Sequence, residues 1–232
     1  MTRSLPVVGD RDALARTRLS WHSVAEHVLA PARYRAEQRI GLTVTPGGFG
    51  TPVFGAGECA RVEGCELVVT EGSSVTTVEL TTVAAAAAAV GIEPGNPPVY
   101  APTTPLSPDA PLYVDPHAAP LLAAWFDLAS AALTGLGAPV TLWPEHFDVA
   151  TEPGDERRGE RGTFGASPGD AEHPTPYLYV THWADVPDDA FWNDDAFGGA
   201  SVDYSEIALA DDPDRAARAF FARGRATLLS QE

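Results

Sequence analysis

The chain has 232 residues, 44% of them apolar, with 32 acidic side chains against 15 basic ones and a formal charge of −17. The apolar share and length suit a globular core, whereas the charge repels phosphate backbones and anionic lipid and so argues against nucleic acid and membranes as partners. All fifteen bases are arginine, so lysine Schiff-base chemistry and a P-loop lysine are both excluded.

The N-terminal MTRSLPVVGDRD lacks the apolar stretch and cleavage site of a secretory signal. No run approaches the eighteen or so consecutive apolar residues of a membrane span, so a cytoplasmic protein is expected. The first helix is predicted from Asp10, as its cap, to Leu29, with Leu14, Trp21, Val24 and Val28 on one face and Pro31 ending it. RIGLTVT (39–45) alternates as a strand and PGG (46–48) turns. GTPVF, ECARV, CELVVTEG and VTTVELTTV then read as short strands of an antiparallel meander. Cys59 and Cys65 flank the turn Val62-Glu63-Gly64 and could face each other across a hairpin, read here as reduced thiols. Thr81 or Thr82 caps a helix over the alanine run, which ends near Gly91.

Residues 93–111 hold six prolines before Pro111 and read as an extended surface connection. Asp115 and Pro116 open a helix through LLAAWFDLASAAL. PVTLWPEHFDVAT (139–151) reads as a strand kinked at Pro144, followed by strands at TFGAS, PYLYVTHW and ASVDYSEIAL, and by a last helix that Asp212 caps and Pro213 begins. Both halves thus run helix, strand, meander, strand, helix. The expected fold is α+β, two similar halves by pseudo-duplication, each an antiparallel sheet flanked by helices. The expected division is an N-terminal half 1–92, a proline-rich connector 93–111 and a C-terminal half 112–232, or else one continuous domain.

TLWPEHFD (141–148) concentrates Trp143, Glu145, His146 and Asp148. On a strand, His146 and Asp148 share a face, and a histidine and carboxylate two residues apart can ligate a metal or pair as an oriented base. A strand over PYLYVTHW puts Tyr177, Tyr179 and Thr181 on one face and Leu178, Val180 and His182 on the other. His146, Asp148 and His182 are therefore the candidate ligands of a divalent metal, with Glu145, His146 and Asp148 as candidate catalytic groups. The bland alternative is a buried aromatic strand with ordinary hydrogen bonds. In the loop before PYLYVTHW, Ser167, Asp170 and His173 surround SPGD, where Asp170 is read as a turn former. His22 and His27 in WHSVAEHVL give a segment similar to the helix of metal-dependent thiol transferases of the four-helix type. Positions five apart do not share a helix face, and His22 and Glu26 are read instead as a surface pair. No nucleophile elbow and no dinucleotide fingerprint is present.

The order of LTVTPGGFGTPVF, PVTLWPEHFDVAT, the SPGD loop before PYLYV, and DYSEIALADDPDRAARAFF resembles that of an uncharacterised bacterial family of domains of unknown function. In that family a Phe-Asp pair, here Phe147 and Asp148, precedes an aromatic-rich strand, and a glutamate, here Glu206, precedes the last helix. A histidine usually stands where this chain has Thr141, and a small residue where it has His146. The resemblance implies the architecture and no activity. Three functional expectations follow. The first is a small-molecule-binding protein with a pocket between the halves, lined by Trp143, His146, Asp148, Tyr177, Tyr179 and His182. The second is a metal-dependent hydrolase or isomerase using His146, Asp148 and His182. The third is a non-enzymatic protein whose acidic surface meets a basic partner.

Overall fold

Asp10 opens the first helix, α1 (Arg11–Val24): its carboxylate accepts from the backbone N–H groups of Asp12 and Ala13 at 2.9 and 3.0 Å. The helix does not stop at Pro31. A π-helical turn (Ala25–Leu29) follows, in which the Ala30 N–H donates to Ala25 O, and α2 (Ala30–Glu37) continues beyond it. The extra residue of the π-turn places Pro31 in the first turn of α2, where a missing N–H costs nothing. Gln38 ends the helix in the left-handed conformation. The computed structural model that shows this describes residues 3–184 and 189–229.

The first meander is β1 (Thr43–Thr45), β2 (Gly48–Gly50), β3 (Glu58–Glu63), β4 (Glu66–Glu71) and β5 (Ser74–Glu79), each antiparallel to the next. Leu67, Val68 and Val69 of β4 are buried, whereas β5 is exposed over most of its length. Of GTPVF only Gly50, the end of β2, is in a strand; residues 51–53 are irregular, with one bridge from Phe54 to Glu58. Cys59 lies opposite Thr70, and Cys65 sits in the β3–β4 turn with its thiol donating to Val114 O, so the two cysteines do not pair across the hairpin and are free. Thr82 caps α3 (Val83–Val90), and Gly91 closes it with φ +72°.

Asp115 receives the N–H groups of His117 and Ala118 and leads into α4 (Ala118–Leu133). With its 3₁₀ extension this helix forms a stretch, Ala118–Leu136, of 19 residues and mean hydropathy 1.4, long and apolar enough to cross a membrane by length and composition. Here 61% of its most apolar window is buried inside the protein, with Leu121, Leu122, Trp125, Phe126 and Leu128 in the interior. The second meander is β6 (Thr141–Trp143), β7 (Asp148–Thr151), β8 (Gly162–Ser167), β9 (Tyr177–His182) and β10 (Ala200–Asp203). DYSEIAL, expected to extend the last strand, turns helical after Asp203 as α5 (Tyr204–Leu209), and Asp212 then caps α6 (Pro213–Leu229). The fold is α+β: two similar halves, each with a five-stranded antiparallel sheet and helices.

The compact units do not follow the expected bounds 1–92, 93–111 and 112–232. One, the N-terminal unit, is Val8–Ala124 with Thr141–Phe147; the other, the C-terminal unit, is Met1–Val7, Trp125–Val140 and Asp148–Glu232. The proline-rich stretch 93–111 is part of the N-terminal unit rather than a free connector, with Thr104 buried. In that unit Trp21 packs at a tilt against Phe49 at 5.5 Å, Phe49 meets Phe147 edge-on at 5.1 Å, and the indole N–H of Trp21 donates to Gly64 O at 3.1 Å. In the C-terminal unit Trp125 packs on Tyr204 at 5.3 Å and donates to Ser167 O at 2.8 Å, while Phe164 meets Phe221 at 6.2 Å.

Candidate functional site

The segment 141–148 is not one strand. β6 ends at Trp143, residues 144–147 turn, and β7 begins at Asp148. The Phe147 N–H donates to Trp143 O at 2.7 Å, which closes the turn, and Phe147 takes φ +53°. The alternation that would set His146 and Asp148 on a common strand face is therefore lost. His146 lies exposed in the turn, Trp143 and Glu145 are half-buried, and Asp148 is buried.

In the C-terminal unit the Tyr179 hydroxyl donates to Asp148 Oδ2. Gly165, paired with Tyr179 across β8 and β9, leaves room for the phenol ring; a Cβ there would lie 2.4 Å from Tyr179 Cζ. Burial first, and Asp148 second, push the Tyr179 hydroxyl well above its ordinary pKa, so it stays a donor. Tyr177 donates to Asp170 Oδ2 at 2.7 Å, and its ring lies 6.1 Å from that of Tyr179. Asp170 also receives the N–H groups of Glu172 and His173 at 2.8 Å, the turn-forming role expected of it. His173 reaches Asp194 at 3.0 Å and lies against the Tyr177 ring at 4.3 Å. His182 is not brought into this group. It lies on the opposite face of β9, its Nδ1 2.6 Å from Ala184 O and its ring 5.0 Å from Trp192. Among the described residues no three His, Cys, Asp or Glu side chains are grouped to hold a metal ion, so the set His146, Asp148 and His182 is not assembled as ligands.

The N-terminal unit contains a second polar centre, built on residues the sequence reading set aside. The π-turn presents Glu26 and His27, both 0% exposed. Glu26 accepts from the N–H groups of Thr103 and Thr104 at 2.9 and 2.7 Å and from the Thr104 hydroxyl at 2.6 Å. His27 Nδ1 is 3.1 Å from Gly95 O and Nε2 3.1 Å from Thr104 O. Together they tie the loop 95–104 to the helix. The His22–Glu26 pair, at 3.7 Å, is thus not a surface pair: Glu26 is wholly inside and His22 nearly so.

His22 Nε2 lies 2.8 Å from Pro144 O and 3.3 Å from Thr103 Oγ1, and its ring stacks on Phe147 at 5.0 Å with the planes 10° apart. A carbonyl oxygen only accepts, so Nε2 carries the proton toward Pro144. Burial, the largest influence, lowers the His22 pKa against the opposing pull of Glu26, leaving a neutral ring at pH 7. The same Thr103 hydroxyl lies 3.4 Å from Glu145 O. Tyr100 Oη and Glu145 Oε2 are buried atoms with no hydrogen-bond partner among the described residues. Burial, followed by Glu26 and Glu145, raises the Tyr100 pKa, so its phenol stays protonated.

Three features coincide here: a π-turn, a positive φ at a non-glycine residue, and unmet buried polar atoms. Each is more frequent at functional sites than elsewhere. Of the residues expected from sequence only Glu145 belongs to this centre's unmet groups, with His146 near enough to His22 to act on its charge. Tyr100, His22 and Glu26 carry no motif that marks them in the sequence. The available signal was Pro31 inside an otherwise helical pattern, which a π-turn accommodates. The chain matches no protein-family model, no curated protein and no solved structure.

Proposed function

We propose that the protein binds a small polar molecule in its N-terminal unit, at the centre bounded by His22, Tyr100 and Glu145. The observation that carries this reading is the pair of unmet buried atoms, Tyr100 Oη and Glu145 Oε2. Leaving a buried polar group unmet costs about 1–3 kcal/mol, and a ligand that offers a donor to Glu145 and a hydrogen-bonding partner to Tyr100 recovers that cost on binding. Neutral His22 and the Thr103 hydroxyl border the same place and add polar contacts without charge.

The test is a thermal-shift screen of small polar compounds against the wild type, Tyr100→Phe and Glu145→Gln. Ligands that stabilise the wild type lose their effect in both variants. Without ligand, Tyr100→Phe is more stable than the wild type by roughly 1 kcal/mol, because it removes a hydroxyl that has no partner. A ligand response that survives both substitutions, or a Tyr100→Phe protein less stable than the wild type, refutes the reading. The second result would indicate a resident water in place of a ligand site.

A further inference from the structure

We infer that the N-terminal unit carries a second binding site, for a short apolar peptide with both termini free. It is separate from the centre at His22, Tyr100 and Glu145, none of which lines it. The site is an open groove of about 550 Å³, lined by α2, α3, the residues that follow α3, and Pro108. That volume falls in the range of sites for small organic ligands. Ala84 and Ala88 of α3 line it with a methyl group each, and Ile92 and Pro108 add apolar surface. The backbone around the groove is pinned without a ligand. The Ala84 N–H donates to Pro108 O at 2.9 Å, Ile92 N–H to Ala87 O at 3.1 Å, and Gly95 N–H to His27 O at 3.1 Å. A ligand therefore meets a preformed surface and binds with little ordering cost.

The charges in the groove select the ligand. Arg35 and Glu93 both line it, both are exposed, and neither makes a hydrogen bond or ion pair among the described residues. Two opposite charges thus share one cavity without neutralising each other. A molecule with a carboxylate at one end and an ammonium at the other serves both: Arg35 donates to the carboxylate in a two-point pair, and Glu93 accepts from the ammonium. Glu93 lies just beyond the C-terminus of α3, whose terminal carbonyls also favour a cation. An anion without an ammonium meets Glu93 and the net charge of −17, and a cation without a carboxylate leaves Arg35 unmatched. A single amino acid carries the same two charges but offers little apolar surface to the alanine, isoleucine and proline side chains. A peptide of about two or three residues matches both the charges and the volume.

The probes are the dipeptides Ala-Leu and Leu-Leu with free termini, N-acetyl-Leu-Leu, and Leu-Leu amide, titrated by ligand-observed NMR into the full chain at neutral pH and constant ionic strength. Wild type is compared with Arg35→Gln, Glu93→Gln and Ala88→Leu, all at exposed positions, and with Tyr100→Phe, after circular dichroism has shown each to be folded. Ala88→Leu fills part of the groove. The expected result is that a free dipeptide binds the wild type and that each capped form binds about fivefold more weakly. Arg35→Gln, Glu93→Gln and Ala88→Leu each weaken the free dipeptide by a similar factor, and Tyr100→Phe leaves it unchanged. The assignment is overturned if neither free dipeptide binds, if the capped forms bind as tightly, or if Arg35→Gln or Glu93→Gln binds as well as wild type. Binding lost in Tyr100→Phe and kept in Ala88→Leu places the peptide at the other centre and overturns it equally. The thermal-shift screen above uses compounds other than peptides, so the two readings fail independently.

Discussion

His22 shows how much one side chain's surroundings can change its role. Its ring is stacked on Phe147, held by Pro144 O, and depressed in pKa mainly by burial. When the chain unfolds, the ring returns to its ordinary value of 6.5. Below that pH the unfolded chain takes up a proton that the folded protein resists, so the stability present above pH 6.5 is lost as the pH falls through and below it. Glutamine at this position keeps a donor for Pro144 O but does not titrate. Urea unfolding across a pH series is therefore expected to show a shallower acid-side decline for His22→Gln than for the wild type. Equal slopes would mean that His22 does not govern that limb. Phe147 belongs to the same scale. Gly47, in the corresponding turn of the first meander, has φ +78°, and Phe147 holds φ +53° with a bulky side chain. Its ring, stacked on His22 and edge-on to Phe49, offsets the strain.

At the scale of the element, the π-turn converts a helix that proline would break into one that continues, and it turns Glu26 and His27 inward. Glu26→Ala leaves the Thr103 and Thr104 N–H groups without their acceptor. The expected loss is about 3 kcal/mol in denaturant unfolding, with faster amide exchange at both threonines. A loss below about 1 kcal/mol would show that the loop is held by other contacts. In the other meander, Gly165 makes room for the Tyr179 ring on its way to Asp148. Gly165→Ala is expected to cost about 1–3 kcal/mol by overpacking, read as a lowered urea midpoint with an unchanged m-value. These elements also show what could be read in advance. The Asp10, Thr82 and Asp212 caps, the alanine helix and the β3–β4–β5 meander follow from local chemistry, because capping and alternation act within a few residues. The π-turn and the 144–147 turn do not, since each is fixed by what the side chains meet elsewhere in the unit: Thr103, Thr104 and Gly95 for the first, His22 and Phe49 for the second.

For the whole molecule, the excess of 32 acidic over 15 basic residues makes self-repulsion a general destabilising influence. Raising NaCl from about 10 mM to about 0.1 M shortens the screening length from about 30 Å to about 10 Å. The melting temperature is expected to rise with that change, as measured by calorimetry; a flat or falling response would mean that the acidic residues are already balanced locally. The surface ion pairs, such as Arg161 with Glu152 and Glu156, work against this trend but are partly exposed and individually weak.

The sequence by itself determined the α+β class and the two meanders, together with most helix boundaries, because periodicity, caps and turns are short-range properties of the chain. It also singled out Asp148 and Tyr179, which do meet, and Glu145, which belongs to the proposed site. Only the tertiary structure decided that residues 141–147 join His22, Glu26 and Tyr100 in the N-terminal unit, while Asp148, one residue further on, belongs to the other. The physical reason is that burial and unmet hydrogen bonds arise from groups far apart in the chain: Tyr100 and Glu145 are polar side chains like any others until folding removes them from water near Glu26.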